Sequence, residues 1–200
     1  KESYLGGNSF DNQLAILRRA LVRAVEWGEL DRVATIRLLK TSPHPIRALK
    51  LGEIDRLAHA ASSPFWRALV IVAGYTGARF SELIALEWDD LDLASIPPSV
   101  TISRGAVRGR IGPTKTYLLR SLPLPTVVVE PLRAVPRRGQ LVFDYEGRLV
   151  PYNTARKELR RAAVRAGIEP VGCHALRHTY VTELARRGAR VDVRARARSP

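Results

Sequence analysis

The stretch CHALRHTY, residues 173–180, sets His174 and Arg177 three positions apart and follows the arginine directly with His178. On a helix that spacing puts imidazole and guanidinium on one face, about one turn apart. Such a face suits an anion, and phosphate first, because a guanidinium matches its oxygens in pairs. A second pair at the same spacing, Arg79 and Glu82, lies in TGARFSELIAL, and Lys115 lies in the basic stretch RGAVRGRIGPTK. Brought together, two arginines would clamp the non-bridging oxygens of a phosphodiester and stabilise the charge that develops during transfer. A lysine on a loop would reach a leaving oxygen and give it a proton, and an imidazole would bond another oxygen or trade protons. In that scheme guanidinium charge does the work of a cation. No compact Asp/Glu or Cys/His cluster has metal-ligand spacing, and WDDLD reads as a solvated helix exit, so neither metal nor cofactor is expected.

The elements that must position these groups follow from periodicity. Asn8 or Ser9 caps a helix to about Trp27, with Leu14, Leu17, Leu21 and Val25 as its apolar stripe. Pro43 and Pro45 mark a stiff basic linker over residues 41–50. A short helix over 52–61 turns Ile54, Leu57 and Ala58 inward. A serine-capped helix with proline in its first turn follows, apolar almost all round and therefore buried. TGARFSELIAL starts another helix after Gly77. Strands are expected around 99–103, 116–123 and 141–143, with a basic hairpin tip between the first two. VVVEPLRAV fits a strand or a short helix. Helices are then expected over 153–166 and 174–187, with His174 a plausible N-cap of the second. The last twelve residues, ARVDVRARARSP, alternate Arg with small residues and read as a disordered basic tail.

Charge is divided unevenly. The formal net charge of +14 falls entirely in residues 101–200, while the first hundred residues balance. A neutral half joined to a strongly basic half suggests a polyanion surface, and double-stranded DNA is the leading partner. Arg104, Arg108 and Arg110 beside Lys115, with Lys40 and Arg47 at the linker, are candidates for DNA-backbone contacts, although such an arginine run also fits a solvated loop. No run approaches a membrane span, and the first ten residues carry no apolar signal core. One cysteine, Cys173, allows no internal disulfide, and a cytoplasmic location is expected.

Three segments together resemble the tyrosine recombinase, or phage integrase, family. TGARFSELIALEWDDLDL is similar to its first box, a Thr-Gly-x-Arg-x-x-Glu-Leu segment. GPTKTYLLRSLPLP resembles its β-hairpin lysine segment, and CHALRHTYVTELARRG resembles its second box, His-x-Leu-Arg-His-Thr-x-x-Thr. Residues 1–40, with AVEWGEL, resemble the end of the helical core-binding domain found upstream. By this resemblance Arg79 and Arg177 hold the scissile phosphate, Lys115 is the general acid, His174 assists proton transfer and Glu82 orients the site. A tyrosine attacks the phosphate in that family and forms a 3′-phosphotyrosyl link.

The resemblance implies a mainly α fold with a small antiparallel β-sheet (α+β), an integrase-like catalytic core preceded by part of a helical core-binding domain. The expected organisation is a partial core-binding domain over 1–40, a linker over 41–50, an incomplete catalytic domain over 51–188 and the tail over 189–200. The expected function is site-specific DNA recombination or integration. The third box and its nucleophilic tyrosine are not found after Gly188, so a chain inactive by itself is expected. Tyr180 reads as core, and Trp27, Trp66 and Trp88 as core or core-edge. The family assembles as oligomers on DNA, and a monomer is expected here. Alternatives are a non-catalytic DNA-binding paralogue, a type IB topoisomerase-like relaxing enzyme and a basic RNA-binding protein.

Overall fold

A computed structural model describes residues 7–36, 47–113 and 119–188, with side chains from residue 13 onward. The chain divides into two units, Lys1–Pro45 and Ile46–Pro200. In the first, α1 spans Gly7–Glu26, and Gly28 at φ 76° turns the chain behind it. Leu14, Leu21 and Val25 are half-buried, whereas Leu17 and Trp27 are exposed, so Trp27 is neither the core nor the core-edge residue expected from its type.

The second unit is built around α3 (Pro64–Thr76), which follows α2 (Leu51–His59). Ser63 caps α3 by accepting from the Trp66 amide, and Pro64 occupies the first turn, where a missing amide proton costs nothing. Residues 68–74 of α3 are all buried, as its unbroken apolar pattern requires. Gly74 allows α2 to approach closely, since a Cβ there would lie 2.9 Å from Ile54. Gly77 ends α3 at φ 60°, a left-handed cap, and a Cβ there would lie 2.3 Å from the Tyr180 ring. The next helix, α4, is a single turn, Phe80–Leu83, with Arg79 as its N-cap, and a 3₁₀ turn follows at Trp88–Asp90.

The main sheet has strand order β1–β2–β5, all antiparallel, from Leu91–Asp92, Ser99–Ile102 and Arg120–Pro123. Between β2 and β5 the stretch read as a hairpin tip is a two-stranded ribbon of its own, β3 (Arg104–Val107) and β4 (Arg110–Pro113). Its two-residue turn, Arg108 at φ 51° and Gly109 at φ 77°, has both residues left-handed, which matches the twist of a tight hairpin. The segment 141–143 forms no strand of its own. Leu141 makes only an isolated bridge to Glu87, while Val142 and Phe143 are wholly buried, so burial alone gave it a strand-like apolar pattern. VVVEPLRAV resolves as a helix, α5 (Thr126–Arg133), with Val128, Val129 and Leu132 buried and Pro131 near its end.

α6 (Tyr152–Arg165) buries Ala155, Leu159, Ala162 and Ala163, and α7 (Cys173–Arg186) buries Cys173, Ala175, Leu176 and Thr179. α7 packs on α3, and its buried Thr179 hydroxyl accepts from the Leu49 amide at 2.8 Å while donating to the Ala175 carbonyl. The chain entering the second unit is thereby fixed to the helix that carries His174 and Arg177. The fold is mainly helical with a small antiparallel sheet.

Candidate active site

Glu82 lies at the base of the site. Its side chain is only 3% exposed, yet it carries a carboxylate, and such a group persists only with several partners. Oε1 accepts from Arg79 Nη1 at 2.8 Å, and Oε2 accepts from the Arg79 backbone amide at 2.8 Å and from Arg120 Nη2 at 2.6 Å. Burial pushes the Glu82 pKa up, but the Arg79 amide and guanidinium, with the charges of Arg120 and Arg79, outweigh it and hold the carboxyl below its ordinary 4.5. Arg79 is brought here because Gly77 stops α3 and the Arg79–Glu82 capping turn begins two residues later.

Arg177 arrives from α7. Its Nη1 donates to the Gly77 carbonyl, which the left-handed cap has turned out of the α3 hydrogen-bond ladder. Burial lowers the Arg177 pKa, and the nearby positive charges of Arg79 and Arg120 lower it further, with Glu82 opposing them. Two guanidinium groups thus engage one carboxylate, and a third, Arg177, is held on Gly77 two residues before Arg79, so these four side chains carry a net charge of +2. Like charges repel, and a fold that gathers them beyond neutrality makes a site ready for an anion.

The structure brings together Arg79, Glu82 and Arg177 of the residues singled out from sequence. His174 is the second residue of α7, exposed, with no hydrogen bond to any described residue; Gly172, not His174, is the N-cap. Lys115 and Lys40 lie outside the described residues, as do 41–46 of the expected linker and the whole of 189–200. Arg108 and Arg110 are exposed at the β3–β4 ribbon. Arg104 is not an open cation: Glu87 at 2.7 Å and Asp90 at 2.8 Å both bind it. Arg47 is likewise held, by Glu53 at 2.9 Å and Glu169 at 2.6 Å. Both therefore brace the fold, because a guanidinium engaged by two carboxylates offers little net charge to a phosphate.

Arg120 was missed. Its signal was present in RSLP: Leu122 pairs with Val100 and Arg120 with Ile102, so strand alternation sends Arg120 and Leu122 to the face where Val100 and Ile102 are buried. A charged residue on a core-facing strand position has to find a partner, and here that partner is Glu82.

The tyrosines of the described residues have other neighbours. Tyr75 donates to Asp55 at 3.1 Å and is pushed up to about 12 by burial and that carboxylate. Tyr145 packs at a tilt against Phe65 and Trp66, Tyr152 packs edge-on against Phe80, and the Tyr180 ring lies against Gly77.

The model of the phage integrase family matches residues 47–196. The integrase of Salmonella phage P22 is 29% identical over 193 residues, covering 88% of this chain and 46% of that protein. The tyrosine recombinase XerD of Mycobacterium tuberculosis is 32% identical over 178 residues, covering 83% of this chain and 57% of that protein. The chain thus spans about half the length of these relatives. Among solved structures, the Tn1549 transposon integrase in complex with a circular intermediate DNA superimposes with a TM-score of 0.77 at 19% identity, covering 92% of this chain and 69% of that one. Lambda integrase bound to a core site superimposes with a TM-score of 0.67 at 19% identity, covering 90% and 68%. These likenesses carry the fold. The family match over most of the chain, with the Arg79–Glu82 turn and the Arg177 helix inside it, places this protein in the phage integrase family.

Proposed function

We propose that this chain forms the phosphate-holding part of a tyrosine recombinase active site and acts on double-stranded DNA, in site-specific recombination or integration through a 3′-phosphotyrosyl intermediate. The observation that carries this is the overcharged cluster: Arg79, Arg120 and Arg177 around the single carboxylate of Glu82. Arg79 and Arg177 hold the non-bridging oxygens of the scissile phosphate, and their positive charge opposes the charge that grows on those oxygens in the transition state. Glu82 fixes the Arg79 guanidinium in one orientation, so little freedom is lost when the phosphate arrives. In the reaction a phenol loses its proton to a base as its oxygen attacks phosphorus, the bond to the 5′-oxygen breaks, and Lys115 gives that oxygen its proton. His174 faces solvent at the start of the same helix and shares in proton transfer. No tyrosine among the described residues is assigned as the nucleophile. Residues 51–188 form the catalytic part and 1–40 a DNA-gripping helical part. That relatives of this fold were solved with DNA supports the substrate class.

The test is equilibrium binding of a fluorescent 20-base-pair duplex. Arg79→Ala and Arg177→Ala are each expected to weaken it about tenfold or more, the loss of one charged hydrogen-bonding group. Unchanged binding by both variants would overturn the reading, and equal affinity for duplex RNA would favour a general polyanion binder.

A further inference from the structure

We propose that Arg120 is a third ligand of the scissile phosphate; this rests on the phosphate reading above. Glu82 does not need Arg120 for neutralisation, since Arg79 already engages both of its oxygens, one through the guanidinium and the other through the backbone amide. Adding Arg120 turns a balanced pair into a cationic cluster. The exposures give the cluster a direction: Glu82 is 3% exposed, whereas Arg79 and Arg120 are 37% and 32% exposed. The carboxylate is a buried floor, and the guanidinium groups stand at the rim, where a phosphate oxygen has access. One nitrogen of Arg120 is fixed on Glu82, and a guanidinium has five N–H donors in a planar fork, so donors remain beyond that contact. The charge of Arg120 also helps to depress the Arg177 pKa, after burial and Arg79. Finally, β5 begins at Arg120, five residues after Lys115 in the chain. The residue that grips the carboxylate floor therefore also fixes the start of the strand leading away from the lysine proposed as general acid.

The experiment compares the unmodified protein with Arg120→Gln, Arg120→Lys, Arg79→Ala and Arg177→Ala. It reads the affinity for a 20-base-pair duplex as a function of KCl, together with each protein's thermal unfolding. Loss of a phosphate contact lowers the slope of log affinity against log salt by about one. Arg120→Gln is expected to show that drop and about a tenfold loss of affinity. Arg120→Lys keeps the charge and is expected to retain the slope while losing severalfold in affinity. An Arg120→Gln protein that unfolds earlier but keeps the full slope, while Arg79→Ala and Arg177→Ala lose theirs, would overturn the assignment of Arg120 and leave the phosphate reading standing. If all three neutral variants keep the slope, the phosphate reading itself falls. A measurement on the unmodified protein does not depend on variant folding. The Nε–Hε resonance of Arg120 is expected to shift saturably with duplex alongside those of Arg79 and Arg177, and a static Arg120 signal beside two moving ones would contradict the proposal.

Discussion

Two basic regions of this molecule differ in what holds their arginines. In the Glu82 cluster each guanidinium is fastened: Arg79 and Arg120 to the carboxylate, Arg177 to the Gly77 carbonyl. At the β3–β4 ribbon Arg108 and Arg110 are exposed and make no ion pair among the described residues. The first arrangement fixes charge in position before a ligand arrives. The second leaves charge on exposed side chains without an ion-pair anchor among the described residues, and ordering such side chains on binding costs entropy. Both offer positive charge to a polyanion, but only the first can favour one geometry of a phosphate over another. Net charge alone would rank the two regions together; the difference lies in the buried carboxylate.

The comparison breaks most visibly at Glu82. Glu82→Gln removes the buried carboxylate that Arg79 and Arg120 share, and a loss of about 3 kcal/mol is expected, or a fall in Tm of roughly 6–12 °C. Because the carboxyl is held below its ordinary 4.5 in the folded protein, its contribution is fully present above about pH 4.5 and is lost as pH falls through the lower folded value. The stabilities of the unmodified and Glu82→Gln proteins should therefore converge in acid, measured by urea unfolding between pH 3 and 7. A constant gap across that range would remove Glu82 from the account. Next in size is Gly77→Ala. It places a Cβ in left-handed backbone and against the Tyr180 ring, with a cost of about 2 kcal/mol. It also displaces the carbonyl that holds Arg177, so DNA affinity should fall more than in a control variant of equal Tm loss. Arg177→Ala should weaken DNA binding about tenfold with a smaller stability change, since it also relieves repulsion from Arg79 and Arg120. The smallest effect is expected at the ribbon. Arg108→Gln with Arg110→Gln should leave Tm unchanged, reduce the salt slope by about two and weaken all duplexes alike.

Much of this was legible in residue order. The apolar run of α3, the serine cap before Pro64 and the left-handed Gly77 are local signals, and each gave the element it implied. Arg79, Glu82 and Arg177 were identifiable because their chemistry and spacing stand within short boxes. What was not legible depends on which side chains folding sets beside one another. Arg104 and Arg47 looked like open cations until Glu87, Asp90, Glu53 and Glu169 were found beside them. The segment 141–143 looked like a strand because a buried loop and a buried strand share one composition. Arg120 was partly legible: its strand alternation pointed inward, but only the 38-residue separation closed by folding shows that Glu82 receives it.

The most direct test of the central claim is a crystal structure of the chain with a short duplex carrying one nick. The account predicts a single backbone phosphate with oxygens about 3 Å from the guanidinium nitrogens of both Arg79 and Arg177, and Glu82 still beneath them. A duplex whose phosphates touch only the β3–β4 ribbon and the exposed face of α6, with the three-arginine cluster vacant, would contradict it.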